Sequence, residues 1–204
     1  MKHRDDPSVL RSQAESLGVS LSPDRADLLL GFETMLRERA VPAGMVAAAD
    51  EPRLRERHVL DCLRAVPEVL PSDERALDLG SGAGLPGVIV AIARPELHVG
   101  LVEVRRHRVA FLEFVLERLG IGNAEVQAVR IQELTAPVDI CFARALAPLP
   151  QAWRLAEPLL LDRGRLVYFA GRTDRVPSEA PWARAEVRTT PVLESAGPLV
   201  IMAR

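Results

Sequence analysis

The chain has 204 residues, which suits one α/β domain with a modest extension and is tight for two full domains. Its apolar and charged fractions, 48% and 26%, are those of a water-soluble globular protein. No apolar run reaches the length a membrane helix needs, so no membrane partner is expected. The net charge of −2 sets the chain apart from strongly basic nucleic-acid binders, so any such contact must come from a local patch. Lys2 is the only lysine, so local patches carry arginine, whose forked donors suit phosphate.

The opening residues, Met1-Lys2-His3-Arg4-Asp5-Asp6, lack the apolar core of a signal peptide, and a cytoplasmic protein is expected. Val9 to Leu17 reads as a short amphipathic helix stopped by Gly18. Ser22 and Pro23 mark the cap and first position of a second helix running to about Arg39, with Leu28, Leu29, Phe32, Met35 and Leu36 on one side. Asp50-Glu51-Pro52 starts a third. There Leu54, Val59, Leu60, Leu63 and Val66 recur at helical spacing up to Pro67. Residues 1–70 therefore read as a helical extension, and 71–204 as the main domain.

From Arg75 strands alternate with helices. Ala76–Leu79 and Val99–Glu103 read as strands, with a helix from Val88 to Ala93 between them. A helix from Arg106 to Leu119, closed by Gly120, follows. Glu125–Val129, Val138–Ala143 and Arg165–Ala170 read as strands, with a helix from about Pro150 to Leu161 before the last. Ala185–Thr190 and Leu199–Ala203 have no helix between them and should pair antiparallel. The expected fold is α/β: a Rossmann-like, seven-stranded, mostly parallel sheet with an antiparallel C-terminal hairpin. Cys62 and Cys141 belong to no CxxC pair, so both read as small buried residues and no metal is expected.

The run Asp78-Leu79-Gly80-Ser81-Gly82-Ala83-Gly84-Leu85-Pro86-Gly87 links the first strand to its helix. Glycines let a backbone turn sharply and approach a ligand closely, and the helix start offers free N–H groups. Gly82-x-Gly84-x-x-Gly87 also fits the dinucleotide pattern, a weak signal that leaves NAD formally open. Three features favour S-adenosylmethionine (SAM). Asp78 stands two residues before the first glycine, little chain remains for a dehydrogenase's second domain, and the tail reads as a hairpin. Glu103, ending the second strand, suits the two ribose hydroxyls of an adenosine. Gln132 offers an amide for an adenine edge or is a surface residue. Two basic groups, Arg105-Arg106-His107-Arg108 and Arg53, Arg55, Arg57 and His58, are candidates for an RNA backbone or are solvated faces.

Several motifs in order resemble the RsmG (GidB) family of 16S ribosomal RNA guanine-N7 methyltransferases. Arg57-His58-Val59-Leu60-Asp61 resembles its R-H-x-L-D segment, and Asp78–Gly87 resembles its D-x-G-S-G-A-G-L-P-G loop. Ala91–Glu96, Arg108–Leu112 and Arg144–Leu149 also follow its pattern. The resemblance spans roughly residues 50 to 171. It implies SAM contacts at Gly80, Leu85, Ile131, Gln132 and Arg144, joining Asp78, Gly82, Gly84 and Glu103 from the loop and strand. It implies 16S rRNA or the small ribosomal subunit as partner. Arg57, His58, Arg106, His107 and Arg108, from the two basic groups, are the expected substrate contacts, and a monomer is expected. Guanine N7 carries a lone pair and no proton, so no general base is required, and Arg144 is the expected positioning residue.

The sequence departs from the family on the substrate side. Its W-N-x-x-x-N-L-T stretch is replaced by Glu38–Val46. His107 stands where the family has lysine, and Phe169-Ala170-Gly171 stands for its L-K-G. Two other readings stay open: a SAM enzyme of this fold acting on another RNA or a small molecule, and a non-catalytic SAM- or RNA-binding assembly protein.

Overall fold

The structure is a computed structural model describing residues 6–173 and 184–204. Residues 1–5, on which the reading of no leader rested, lie outside the described residues. Asp6 caps the first helix, α1 (Pro7–Glu15), by accepting from the Ser8 N–H, and Pro7 sits where no N–H is needed. Ser22 does the same for α2 (Pro23–Met35), accepting from the Arg25 N–H. The expected continuation to Arg39 is a wider helical turn, Leu36–Ala40, whose last bond runs from the Val41 N–H to the Leu36 carbonyl. A tight turn, Ala48–Arg53, and a wide one, Arg55–Leu60, lead into the short α3 (Asp61–Leu63).

The sheet comprises β1 (Arg75–Leu79), β2 (His98–Val102), β3 (Ala124–Gln127), β4 (Val138–Arg144), β5 (Leu160–Phe169), β6 (Arg184–Arg188) and β7 (Leu199–Ala203). Its order is β3-β2-β1-β4-β5-β7-β6, so the tail hairpin inserts its second strand beside β5. β1 to β5 are parallel, and β7 is antiparallel to both β5 and β6. Among the described residues no helix is long and apolar enough to cross a membrane.

The helices α4 (Gly87–Ala93), α5 (Arg106–Leu119) and α6 (Leu149–Ala156) connect the parallel strands. The helix expected to reach Leu161 is shorter. After α6 the chain makes a tight turn, Glu157–Leu159, where Pro158 has no N–H to extend the ladder, and β5 begins at Leu160 rather than Arg165.

Alternation along the strands sorts side chains to two faces. Ala76, Val99, Leu101, Ile140 and Phe142 join α4, α5 and the N-terminal helices in one buried cluster. Leu77, Leu79, Cys141, Ala143 and Leu166 join α6, through Trp153, in the other. The N-terminal helices thus share a core with the sheet; a side chain at Gly84 would meet both Phe32 of α2 and Leu112 of α5. The chain winds outward from β1 in one direction and from β4 in the other. The ends of β1 and β4 therefore border a crevice at the topological switch point, where open α/β sheets bind ligands.

Candidate functional site

Two clefts meet at this switch point. The first, about 460 Å³, is lined by Gly80, Glu103, Arg105, Arg108, Ile131 and Gln132 with Val102, Leu146 and Leu155. Its floor is the loop after β1. Gly80 turns at φ 73, and a Cβ there would lie 2.8 Å from Leu146, so only glycine keeps this corner open. Gly82 and Gly84 also turn left-handed, at φ 58 and 85. The Leu85–Pro86 peptide is cis. At the loop's far end a Cβ on Gly87 would lie 2.6 Å from the Asp78 carboxylate, which instead accepts the Gly87 N–H at 2.9 Å.

Asp78 is therefore a tie between strand and helix, buried below the cleft. Burial pushes its carboxyl up to about 7, against the Gly87 and Ser81 hydrogen bonds that favour the charge. A carboxyl raised in the fold contributes stability below its unfolded value and loses it as pH rises through 7. Asp78→Asn keeps an acceptor for Gly87 and removes the ionisation. Urea denaturation should show its stability falling by on the order of 2 kcal/mol less than wild type between pH 5 and 8. Parallel pH curves would contradict this account of Asp78.

Glu103 ends β2 with its carboxylate turned into the loop. Oε2 accepts the Gly82 N–H at 3.1 Å, and Oε1 accepts the Val104 and Arg105 N–H groups at 2.9 Å each. Burial alone would raise this carboxyl. The three N–H donors and Arg108, 3.5 Å away, hold it below the usual carboxylate range instead. It stays an anion, and the Arg108 Nε beside it is buried with no partner among the described residues. The cleft thus offers a fixed carboxylate, an exposed amide at Gln132 and apolar walls. That set fits a nucleoside bearing a charged polar tail.

The second cleft, about 630 Å³, shares Ala145 with the first and is lined by Asp50, Arg57, Asp61, Arg64, Arg144 and Arg172, among others. Ala145 sits at φ 53, a left-handed turn that costs an L-residue roughly 1–2 kcal/mol. On its two sides, Arg144 lines the second cleft and Leu146 the first. Arg144 donates from Nε to Asp61 Oδ2 at 3.2 Å and from Nη2 to the Arg57 carbonyl and His58 Nδ1, both at 3.0 Å. Asp50 joins Arg57 at 3.0 Å and His58 Nε2 at 3.2 Å, and Asp61 also holds Arg64 at 2.8 Å. Burial, then Arg144, lowers the His58 pKa. Four arginines against two aspartates leave this cleft positive within a chain of net charge −2.

The candidate residues divide between these clefts. Gly80, Glu103, Ile131 and Gln132 line the first, together with Arg108, which the sequence assigned to substrate. Asp78, Gly82, Gly84 and Leu85, expected at the cofactor, do not line it: Asp78 and Leu85 are buried, Leu85 within the apolar cluster, and Gly84 faces Phe32 and Leu112. Arg57, His58 and Arg144 meet in the second cleft. Arg106 and His107 are exposed at the start of α5 and line neither cleft. The group Arg53, Arg55, Arg57 and His58 does not act as one surface. Arg55 is buried against Glu33 at 2.8 Å, and Arg53 lines a separate depression beside α1. Asp50, Asp61, Arg64 and Arg172 were not singled out from sequence. Asp61, inside the Arg57–Asp61 motif, was the one with a local signal. Ala170 and Gly171, where the family's lysine is lost, line the second cleft, and Arg172 follows immediately.

The family model described as rRNA small subunit methyltransferase G matches residues 25–192. A protein of that name from Thermobifida fusca (strain YX) is 40% identical over 158 residues, covering 76% of this chain and 65% of the relative. Another, from Acidothermus cellulolyticus, is 36% identical over 147 residues, covering 72% of this chain and 66% of the relative. The chain thus spans just under two thirds of the length of these curated relatives. Among solved structures, a SAM-dependent methyltransferase from Aquifex aeolicus superposes with a TM-score of 0.56 at 17% identity, covering 79% of this chain and 96% of that one, a likeness of fold.

Proposed function

The chain belongs to the rRNA small subunit methyltransferase G family, and on that premise we propose that it moves a methyl group from SAM to N7 of a guanine in 16S ribosomal RNA. The observation that carries this reading is the pair of clefts joined at Ala145, one built for a nucleoside and one lined with arginine. Glu103 would hold the ribose hydroxyls, Gln132 and Ile131 the adenine, and Gly80 with its neighbours the backbone approach to the amino-acid tail. Bound there, SAM supplies an electrophilic methyl group. Guanine N7 brings a lone pair with no proton to remove, so the protein needs no general base. Its work is to hold the base, exclude water and aim N7 across Ala145.

Arg144 is the positioning residue in this reading. Its Nη1 carries no protein partner among the described residues, and the side chain is one-fifth exposed, so a donor is left to face a base. Arg57 and Arg172 at the rim would take RNA phosphates, with Arg105, Arg106 and His107 on the neighbouring helix start. A guanine must be unstacked to enter, so the target lies in a loop, bulge or end. The protein is proposed to act as a cytoplasmic monomer on rRNA or the small subunit.

Incubation with SAM and 16S rRNA, free or within the small subunit, followed by nuclease digestion and mass analysis, tests the reading. One 7-methylguanosine per rRNA is expected. Methylation of another base, or none with either form, would reject it.

A further inference from the structure

Arg144 has three side-chain nitrogens, and among the described residues two of them have partners. Nε is spent on Asp61 and Nη2 on the Arg57 carbonyl and His58 Nδ1. An arginine only donates, so His58 Nδ1 must carry its lone pair, and the ring proton must sit on Nε2, facing Asp50 at 3.2 Å. Burial and the Arg144 charge lower the ring's pKa, against Asp50 and Asp61, which act to raise it. Asp50 and Asp61 are themselves fixed by Arg57 and Arg64. The ring is 9% exposed, and among the described residues the Arg144 guanidinium is held only along its Nε and Nη2 edge.

A free guanidinium binds guanine through two donors, one to O6 and one to N7. That grip occupies the lone pair on the atom that is to be methylated. We propose that His58 is a positioning residue which, with Asp61, withholds Nε and Nη2 of Arg144, so that Nη1 alone reaches guanine O6 and N7 stays free to react. The proposal rests on the guanine-N7 reading above. It assigns His58 a role through Arg144 rather than a contact with RNA. The device also gives specificity: a base without an acceptor at the O6 position leaves Nη1 unpaired in the cleft.

Two substitutions separate this role from packing. His58→Asn places an amide oxygen at the position of Nδ1 and preserves the acceptor for Arg144. His58→Gln places its amide at the position of Nε2, keeps the Asp50 contact and loses that acceptor. Steady-state methylation of 16S rRNA by His58→Gln should show kcat lowered about tenfold or more without a rise in KM, since a released Nη2 binds N7 unproductively. His58→Asn should retain most of the wild-type kcat. A raised KM with kcat kept would make His58 an RNA contact and overturn the proposal. So would equal losses in both variants, or none in either.

The network is also read without catalysis. Nitrogen-15 NMR of the wild-type histidines should show His58 neutral with its proton on Nε2, and Arg144→Ala should shift the Nδ1 resonance. A proton on Nδ1 would overturn the proposal even if 7-methylguanosine forms. If the expected tautomer is seen while wild type makes no 7-methylguanosine, it is the guanine-N7 reading that fails, and the blocking role falls with it.

Discussion

Arg144→Ala should lower methyl transfer to 16S rRNA by about a hundredfold or more while leaving a folded protein, because it removes a positioned donor from the rim of the reacting base. The fold tolerates the loss because both side-chain partners keep another contact. Asp61 retains Arg64 at 2.8 Å, and His58 retains Asp50 at 3.2 Å. The cost to stability should be about 1–2 kcal/mol, the scale of a partly buried pair whose remaining charge is still matched. SAM affinity should change less than about tenfold, or ~1.4 kcal/mol, since Arg144 lines the second cleft and not the first. Single-turnover methylation, urea denaturation and calorimetry with SAM separate the three quantities. Wild-type turnover in this variant would remove Arg144 from the site, and a large loss of SAM affinity would move it to the cofactor side.

Glu103→Ala should have the opposite profile. Its carboxylate, 5% exposed, accepts the N–H groups of Gly82, Val104 and Arg105, and so fixes the glycine loop to the end of β2. Each buried donor left without an acceptor costs about 1–3 kcal/mol, though water entering the cleft recovers part of it. Stability should fall by roughly 2–4 kcal/mol and SAM affinity by about a hundredfold or more, through loss of both the loop and the ribose acceptor. The sign with pH follows from the lowered pKa. The carboxylate's contribution is present above the ordinary glutamate value and is lost as pH falls through the lower folded one, so it is in full force at neutral pH. Calorimetry showing unchanged SAM binding would take Glu103 out of the cofactor site.

Much of this arrangement was readable in the chain because its signals are local. Gly80, Gly82 and Gly84 sit where the backbone needs positive φ, and alternation in β1, β2 and β4 follows the pleat. Ser22-Pro23 and Gly120 bounded their helices by capping chemistry that spans only a few residues. The boundaries that shifted lie where periodicity runs past a change of geometry, as from α6 through Pro158 into β5.

The second cleft was not readable in this way. Arg144 and Asp61 are 83 positions apart, and nothing in the sequence around either announces the other. The same holds for Arg55. It looks like part of a basic run, yet it pairs with Glu33 on a helix 22 residues earlier and is buried. Charge runs give composition, and only the fold decides which members face solvent. Asp78 shows a related limit. Its place before Gly80 was legible, but its bond to the Gly87 N–H and its burial depend on how α4 packs against β1 and β2.

The most direct test of the whole account is the 16S rRNA of the organism itself. Nuclease digestion and mass analysis should find a single 7-methylguanosine in rRNA from wild-type cells. It should be missing from a strain lacking this protein, and restored by the wild-type chain but not by Arg144→Ala. Unchanged 7-methylguanosine in the deletion strain would contradict the assignment of this chain to guanine N7.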